Sequence, residues 1–172
     1  MPELVEALVR AAAIGIGATA LMDVWGLVRS RWLRMAAADY DLVGRWIAYL
    51  PRGRFRHDPI GATPRVRGER AIGWTAHYLI GIAFAAVLLA AWGLDWAGQP
   101  SLAPALIVGI GSVAAPFLLM QPGMGAGLAA RRTPRPGLAR LHSLINHAVF
   151  GVGLYLAALA TNASAMLLAR MA

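Results

Sequence analysis

Four runs of about twenty mostly apolar residues constrain this chain more than any other feature. They are Ala11–Val28, Ala71–Gly93, Leu102–Gln121 and Leu141–Thr161. A bilayer core takes about 20 such residues per helix. The runs are apolar on every face, whereas a helix of a soluble bundle alternates apolar and polar faces. Composition agrees, with 59% of residues apolar and only 14% charged. Soluble domains carry roughly 45–50% and 25%. The same apolar richness excludes a disordered chain. With no cysteine, a disulfide scaffold, thiolate metal ligation and a cysteine nucleophile are excluded too.

Charge placement orients the spans. All 16 basic residues are arginine, and ten of them (29, 31, 34, 45, 52, 54, 56, 65, 67 and 70) fall in the connection 29–70. Four more (131, 132, 135 and 140) fall in the connection 122–140, and none lies in Leu94–Ser101. Short basic loops stay on the cytoplasmic side. Four alternating spans put both basic loops there and both termini outside, as expected of a protein of a bacterial inner membrane. Trp25 and Trp74 are then expected near the inner interface, and Trp92 and Trp96 near the outer one. Glu3 and Glu6 stand where a signal peptide carries positive charge, so the first span is read as retained.

Within the first basic loop, Leu42, Val43, Trp46, Ile47 and Leu50 recur at helical spacing after Asp39 and Asp41 and before Pro51. This predicts a short amphipathic helix lying on the inner membrane surface, with Arg45 at its polar edge. Arg52, Arg54 and Arg56 follow around Phe55 and are candidates for contact with anionic lipid headgroups or another anion. The neighbouring His57-Asp58 is expected to be solvated, and His142 to lie at the interface. Positive-inside topology already accounts for the basic charge, so nucleic acid is not among the expected partners.

Several strings resemble a known family: IGIGATALMDVW, LVGRW, LPRGRFRHD, GERAIGWTAHYLIGIAFA and PFLLMQPGMGAG. It is an uncharacterised family of small bacterial integral-membrane proteins, known only as a domain of unknown function. The resemblance covers nearly the whole chain. It implies about four membrane helices and no activity.

The two halves echo one another. Ile14-Gly15-Ile16-Gly17 in the first span is matched by Val108-Gly109-Ile110-Gly111 in the third. The pattern H-x-x-x-G occurs as His77…Gly81 in the second span and His147…Gly151 in the fourth. The expected fold is therefore all-α. It is a four-helix transmembrane bundle with a short inner-surface helix, arranged as two parallel two-helix repeats if the echo is a duplication. Small residues in the spans are expected to let helices approach closely. Pro116 is expected to free the carbonyl of Ser112 and bend the third span.

The intramembrane polar residues are few. Asp23, His77 and His147 lie on three spans at one depth, roughly 7–10 Å below the inner surface at about 1.5 Å per residue. Asn146 and Gln121 lie close to that layer. Ionisable groups at such depth require a partner and an interior or wetted position. Three readings stay open: structural pairing, a site for a proton, metal ion or small polar substrate, and b-type haem held between His77 and His147. Asp23, His77 and His147 are the metal-ligand candidates; haem and a divalent metal are both compatible, and neither is favoured over no cofactor. No Ser-His-Asp spacing, HExxH string or nucleotide fingerprint occurs. The sequence thus favours a transporter-like or accessory membrane protein, with a lipid-phosphate enzyme acting through the basic loop as the alternative. Homo-oligomerisation through the small-residue faces is equally open.

Overall fold

Each apolar run forms a long helix in the computed structural model, which describes residues 1–32 and 38–171, with side chains as far as residue 164. The helices are α1 (Pro2–Trp32), α2 (Tyr40–Tyr49), α3 (Glu69–Gly98), α4 (Leu102–Gly111), α5 (Gln121–Gly123, a single turn) and α6 (Pro136–Met171). Among the described residues there is no strand. Four segments of the described residues are long and apolar enough to cross a bilayer: Pro2–Trp32, Glu69–Gly98, Leu102–Gly123 and Pro136–Ser164. This is the architecture of a multi-pass membrane protein. The first span is longer than the 11–28 expected, because Pro2 opens the helix well before the apolar run begins. Arg34, counted with the first basic loop, and the side chain of Arg170 lie outside the described residues.

α1 packs along both α3 and α6, and α4 packs on α6. The core along these seams is built from Ile14, Ala18, Ala85, Leu88, Leu154 and Ala158, all essentially inaccessible. Lipid supplies little hydrophobic drive between helices, so close backbone packing carries the association. Gly15 meets the backbone of Gly81 and Ile82, and Gly109 meets that of Gly151. The same small-residue crossing thus joins α1 to α3 and α4 to α6, between the motifs that echo in the sequence.

The echo stops at the next seam. A two-fold axis relating the halves would make α3–α4 the counterpart of α1–α6. α1 and α6 pack closely, with Gly17 on Ala157 and Gly153 on Ala18. α3 and α4 touch only sparingly, and Gly111, which corresponds to Gly17, faces open space. The third span is interrupted on this side. α4 ends at Gly111, and a π-helical turn, Pro116–Met120, carries the chain onward. Pro116 removes one donor, but the Ser112 carbonyl is not left free as expected: the amide of Ala115 reaches it at 3.1 Å. The proline is accommodated by widening the helix, a feature that often marks functional sites.

α2 departs from its expected role. Asp39 caps it by accepting from the amides of Asp41 and Leu42, and Pro51 closes it through a 3₁₀ turn. The helix does not lie free on the membrane surface. Gly44 and Gly73 bring its backbone against the start of α3. Arg45 is not at a polar edge but buried, with its guanidinium paired to both carboxylate oxygens of Glu69 at 2.8 and 2.9 Å. It also donates to the carbonyl of Thr63 at 3.1 Å. A buried cation needs such compensation.

Two tryptophans are tied into the helix packing by their indole N–H groups. Trp96 is buried and donates to the Ser101 carbonyl at 3.2 Å. It reaches that position because α3 continues past a break at Gly93 (φ 79°), a conformation glycine tolerates. Trp25 donates to Asn146 Oδ1 at 3.1 Å, joining α1 to α6.

Candidate functional site

The open α3–α4 seam encloses a cavity of about 210 Å³. Its walls are mainly apolar, from Met22, Ile80, Phe84, Met120 and Phe150. His77 and His147 both line it, together with Ser112, Ser143, Asn146 and Tyr40. The structure therefore brings imidazoles from α3 and α6 to one space, and each is held by a different set of partners.

His77 belongs to a chain of four groups. Its Nε2 lies 2.9 Å from Asp23 Oδ1 and 3.0 Å from the Tyr40 hydroxyl. The Tyr78 hydroxyl donates to Asp23 Oδ2 at 2.9 Å. The Tyr40 ring stacks on the imidazole with centroids 4.2 Å apart, and Trp74 packs on Tyr40 at 4.7 Å. Burial, and then the Asp23 carboxylate, push the Tyr40 phenol above its ordinary value, so Tyr40 stays a neutral hydroxyl. Nε2 carries at most one proton. When it donates to Asp23, the Tyr40 hydroxyl can only accept from it or turn away. When it accepts from Tyr40, the Asp23 contact requires a proton on the carboxyl. With Nδ1 protonated in both, the two arrangements differ by the position of one proton, on Nε2 in the first and on Asp23 in the second.

His147 is held differently. Ser112 Oγ lies 2.6 Å from the Gly109 carbonyl and 2.6 Å from His147 Nδ1. The serine has one hydrogen, and a carbonyl can only accept. Oγ therefore donates to Gly109 and accepts from Nδ1–H, which leaves His147 Nε2 as an acceptor. Ser112 is fully placed by this pairing. It bonds its own helix at Gly109 and the His147 ring on α6.

The remaining site candidates scatter. Asn146 lines the cavity and accepts from Trp25. Gln121 lies apart from the cavity lining, with its side-chain oxygen buried and without a hydrogen-bond partner. Arg52 and Arg54 sit over the Tyr49 ring at 5.1 and 5.6 Å. Arg54 and Arg56 reach a second, polar cleft, and Arg52 does not. His57 is not solvated: it is buried, with Nδ1 2.9 Å from the Thr63 hydroxyl. Its neighbour Asp58 is exposed and accepts from Arg132 at 3.1 Å, so the two do not form an acid–base pair.

The donor set bears on the cofactor readings. Among the described residues no three His, Asp or Glu side chains converge as metal ligands. His77 Nε2, the atom an axial haem bond would use, is already shared by Asp23 and Tyr40. The cavity also falls below the roughly 300–1,000 Å³ of sites for drug-sized ligands, and haem is larger still. These residues do not fit haem.

Sequence reasoning missed Tyr40 and Tyr78. Tyr40 stands between two aspartates that read as helix caps, and nothing in the spacing shows that α2 folds back onto α3. Tyr78 is adjacent to His77, and its aromatic ring reads as span filler.

A model of a protein family of unknown function, DUF2938, matches residues 12–161. The chain belongs to that family. The match covers the second and third spans whole, most of the first and fourth, both basic loops, and every residue of the Asp23–His77 chain and the Ser112–His147 pair. No curated protein and no solved structure matches the chain.

Proposed function

We propose that this DUF2938 protein is a transporter-like membrane protein. In this reading it binds a small, largely apolar molecule with one polar end and couples its occupancy to a proton on the Tyr40–His77–Asp23 chain. The observation that carries the reading is the shared cavity: two imidazoles from different halves face it, one backed by a carboxylate and one by a serine. The apolar walls suit the body of such a molecule. His147 Nε2 accepts from its polar end, and His77 answers by shifting a proton toward or away from Asp23. In this reading the basic loops face the cytoplasm of a bacterial inner membrane, both termini lie outside, and exposed arginines such as Arg52 attract anionic headgroups.

The test is proton release or uptake on binding. Purified protein in weakly buffered detergent solution is titrated with short aliphatic alcohols and amines while a pH indicator is followed. Saturable binding with a proton change is expected for the wild type. Asp23→Asn should keep binding and lose the proton change, and Ala115→Phe, which fills the cavity, should lose both. Binding without any proton change in the wild type, or unaltered binding in Ala115→Phe, would overturn the proposal.

A further inference from the structure

The two basic loops are built against each other. The amide of His57 donates to the Gly123 carbonyl at 2.9 Å, and that of Ile60 to the Met124 carbonyl at 3.0 Å. Gly125, at φ 97°, lets the second loop pass over the His57 carbonyl, where a Cβ would collide. The Arg132 amide closes the second loop onto the Ala126 carbonyl at 2.8 Å, and Arg140 Nε holds the Ala129 carbonyl at 2.8 Å. Between the loops lies a cleft of about 560 Å³. It is lined by Arg54 and Arg56 from the first loop and by Arg131 and Arg132 from the second. The two pairs are 75 residues apart or more in sequence, so only the loop docking brings them together.

A general positive surface does not need this construction. Four guanidiniums around one fixed cleft face a single carboxylate, Asp58, which Arg132 already holds at 3.1 Å. His57 forms part of the lining, and its Nε2 is buried without a hydrogen-bond partner. Two exposed leucines, Leu118 and Leu128, form an apolar wall beside the charges.

We infer that the cleft between the loops is a binding site for a phosphate group, held by Arg54, Arg56, Arg131 and Arg132. Guanidinium forks match phosphate oxygens in pairs, and the docked loop backbones bring these four arginines to one cleft before a ligand arrives. The phosphate belongs either to a phospholipid headgroup, with its acyl chains along Leu118 and Leu128, or to a soluble phosphorylated compound. The site does not depend on the proton-linked cavity: it lies on different residues.

The experiment uses the intact protein in nanodiscs. One arm compares phosphatidylcholine discs with discs that also contain phosphatidic acid, and native mass spectrometry counts retained lipid. The other arm titrates glycerol 3-phosphate into protein in phosphatidylcholine discs by calorimetry. Retention of phosphatidic acid alone assigns the lipid source, and saturable glycerol 3-phosphate binding assigns a soluble source. Arg54→Ala/Arg131→Ala should weaken whichever binding is seen by about tenfold or more, which is about 1.4 kcal/mol or more. Arg67→Ala/Arg70→Ala removes the same charge outside the cleft and should weaken it far less. Asp58→Asn removes the competing carboxylate and should strengthen binding several-fold, an effect that misfolding does not produce. The inference fails if neither probe binds, or if the two double variants weaken binding equally.

Discussion

Replacing Arg45 by methionine should destabilise the protein by about 3 kcal/mol, and it should release α2 from α3. The side chains of Arg45 and Glu69 are only 7% and 4% exposed, so neither is solvated by water. Removing one partner of a buried pair costs about 3–5 kcal/mol, because the other charge is left uncompensated. Here the lower end applies. Glu69 would keep the Arg65 Nε at 2.7 Å and the Val66 amide at 3.0 Å. The Thr63 carbonyl would lose its Arg45 donor. A double variant, Arg45→Met/Glu69→Met, removes both charges and should be more stable than Arg45→Met alone, by about 1 kcal/mol or more. Reversible unfolding in mixed micelles, followed by tryptophan fluorescence, measures both. The consequence for the site is specific. Arg45 and Tyr40 share α2, so undocking that helix removes the Tyr40 ring from His77. The His77 resonances should therefore change in Arg45→Met, whereas those of His147, held by Ser112, should not. A cost below about 1 kcal/mol, or strictly additive single and double variants, would refute the buried-pair argument.

The His57 imidazole is lowered from its ordinary 6.5 chiefly by burial and next by the Arg54 charge. Its folded form therefore binds a proton less readily than its unfolded form. The stability it confers is full above pH 6.5 and declines as pH falls from there through the lower folded value. His57→Gln should flatten this part of the stability–pH profile, and an unchanged acid-side slope would exclude His57 as its source. Orientation is tested at two glycines whose surroundings leave room for a side chain, Gly61 in the first basic loop and Gly98 at the far end of α3. An impermeant thiol reagent added outside cells should label Gly98→Cys and spare Gly61→Cys; the opposite pattern would invert the proposed topology.

Span number and position were legible in the sequence because a bilayer imposes a length and a polarity that local composition must satisfy. The Gly15, Gly81, Gly109 and Gly151 contacts were legible as a kind of packing, since only small residues let backbones meet in lipid. Asp23, His77 and His147 could be assigned to one level by depth alone, because each span fixes how far a residue lies from its end.

Direction around each helix was decided elsewhere. Asp23 bonds His77 and not His147 because α1 packs face to face with α3 near that level, while Ser112 on the interrupted third span takes the His147 ring. The cavity exists because the α3–α4 seam stays open where α1–α6 is closed, a difference the echoing motifs do not encode. Tyr40, Arg45 and His57 were misread or missed for one reason. Each sits in a loop whose docking partner is distant in sequence: His77 for Tyr40, Glu69 for Arg45 and the 123–125 turn for His57. A local pattern reports how a segment distributes polarity along itself, and a charged or aromatic residue beside prolines and glycines reads as solvent-facing. Whether such a residue meets water or a buried partner depends on which distant backbone fills the space beside it, and only the assembled tertiary structure fixes that.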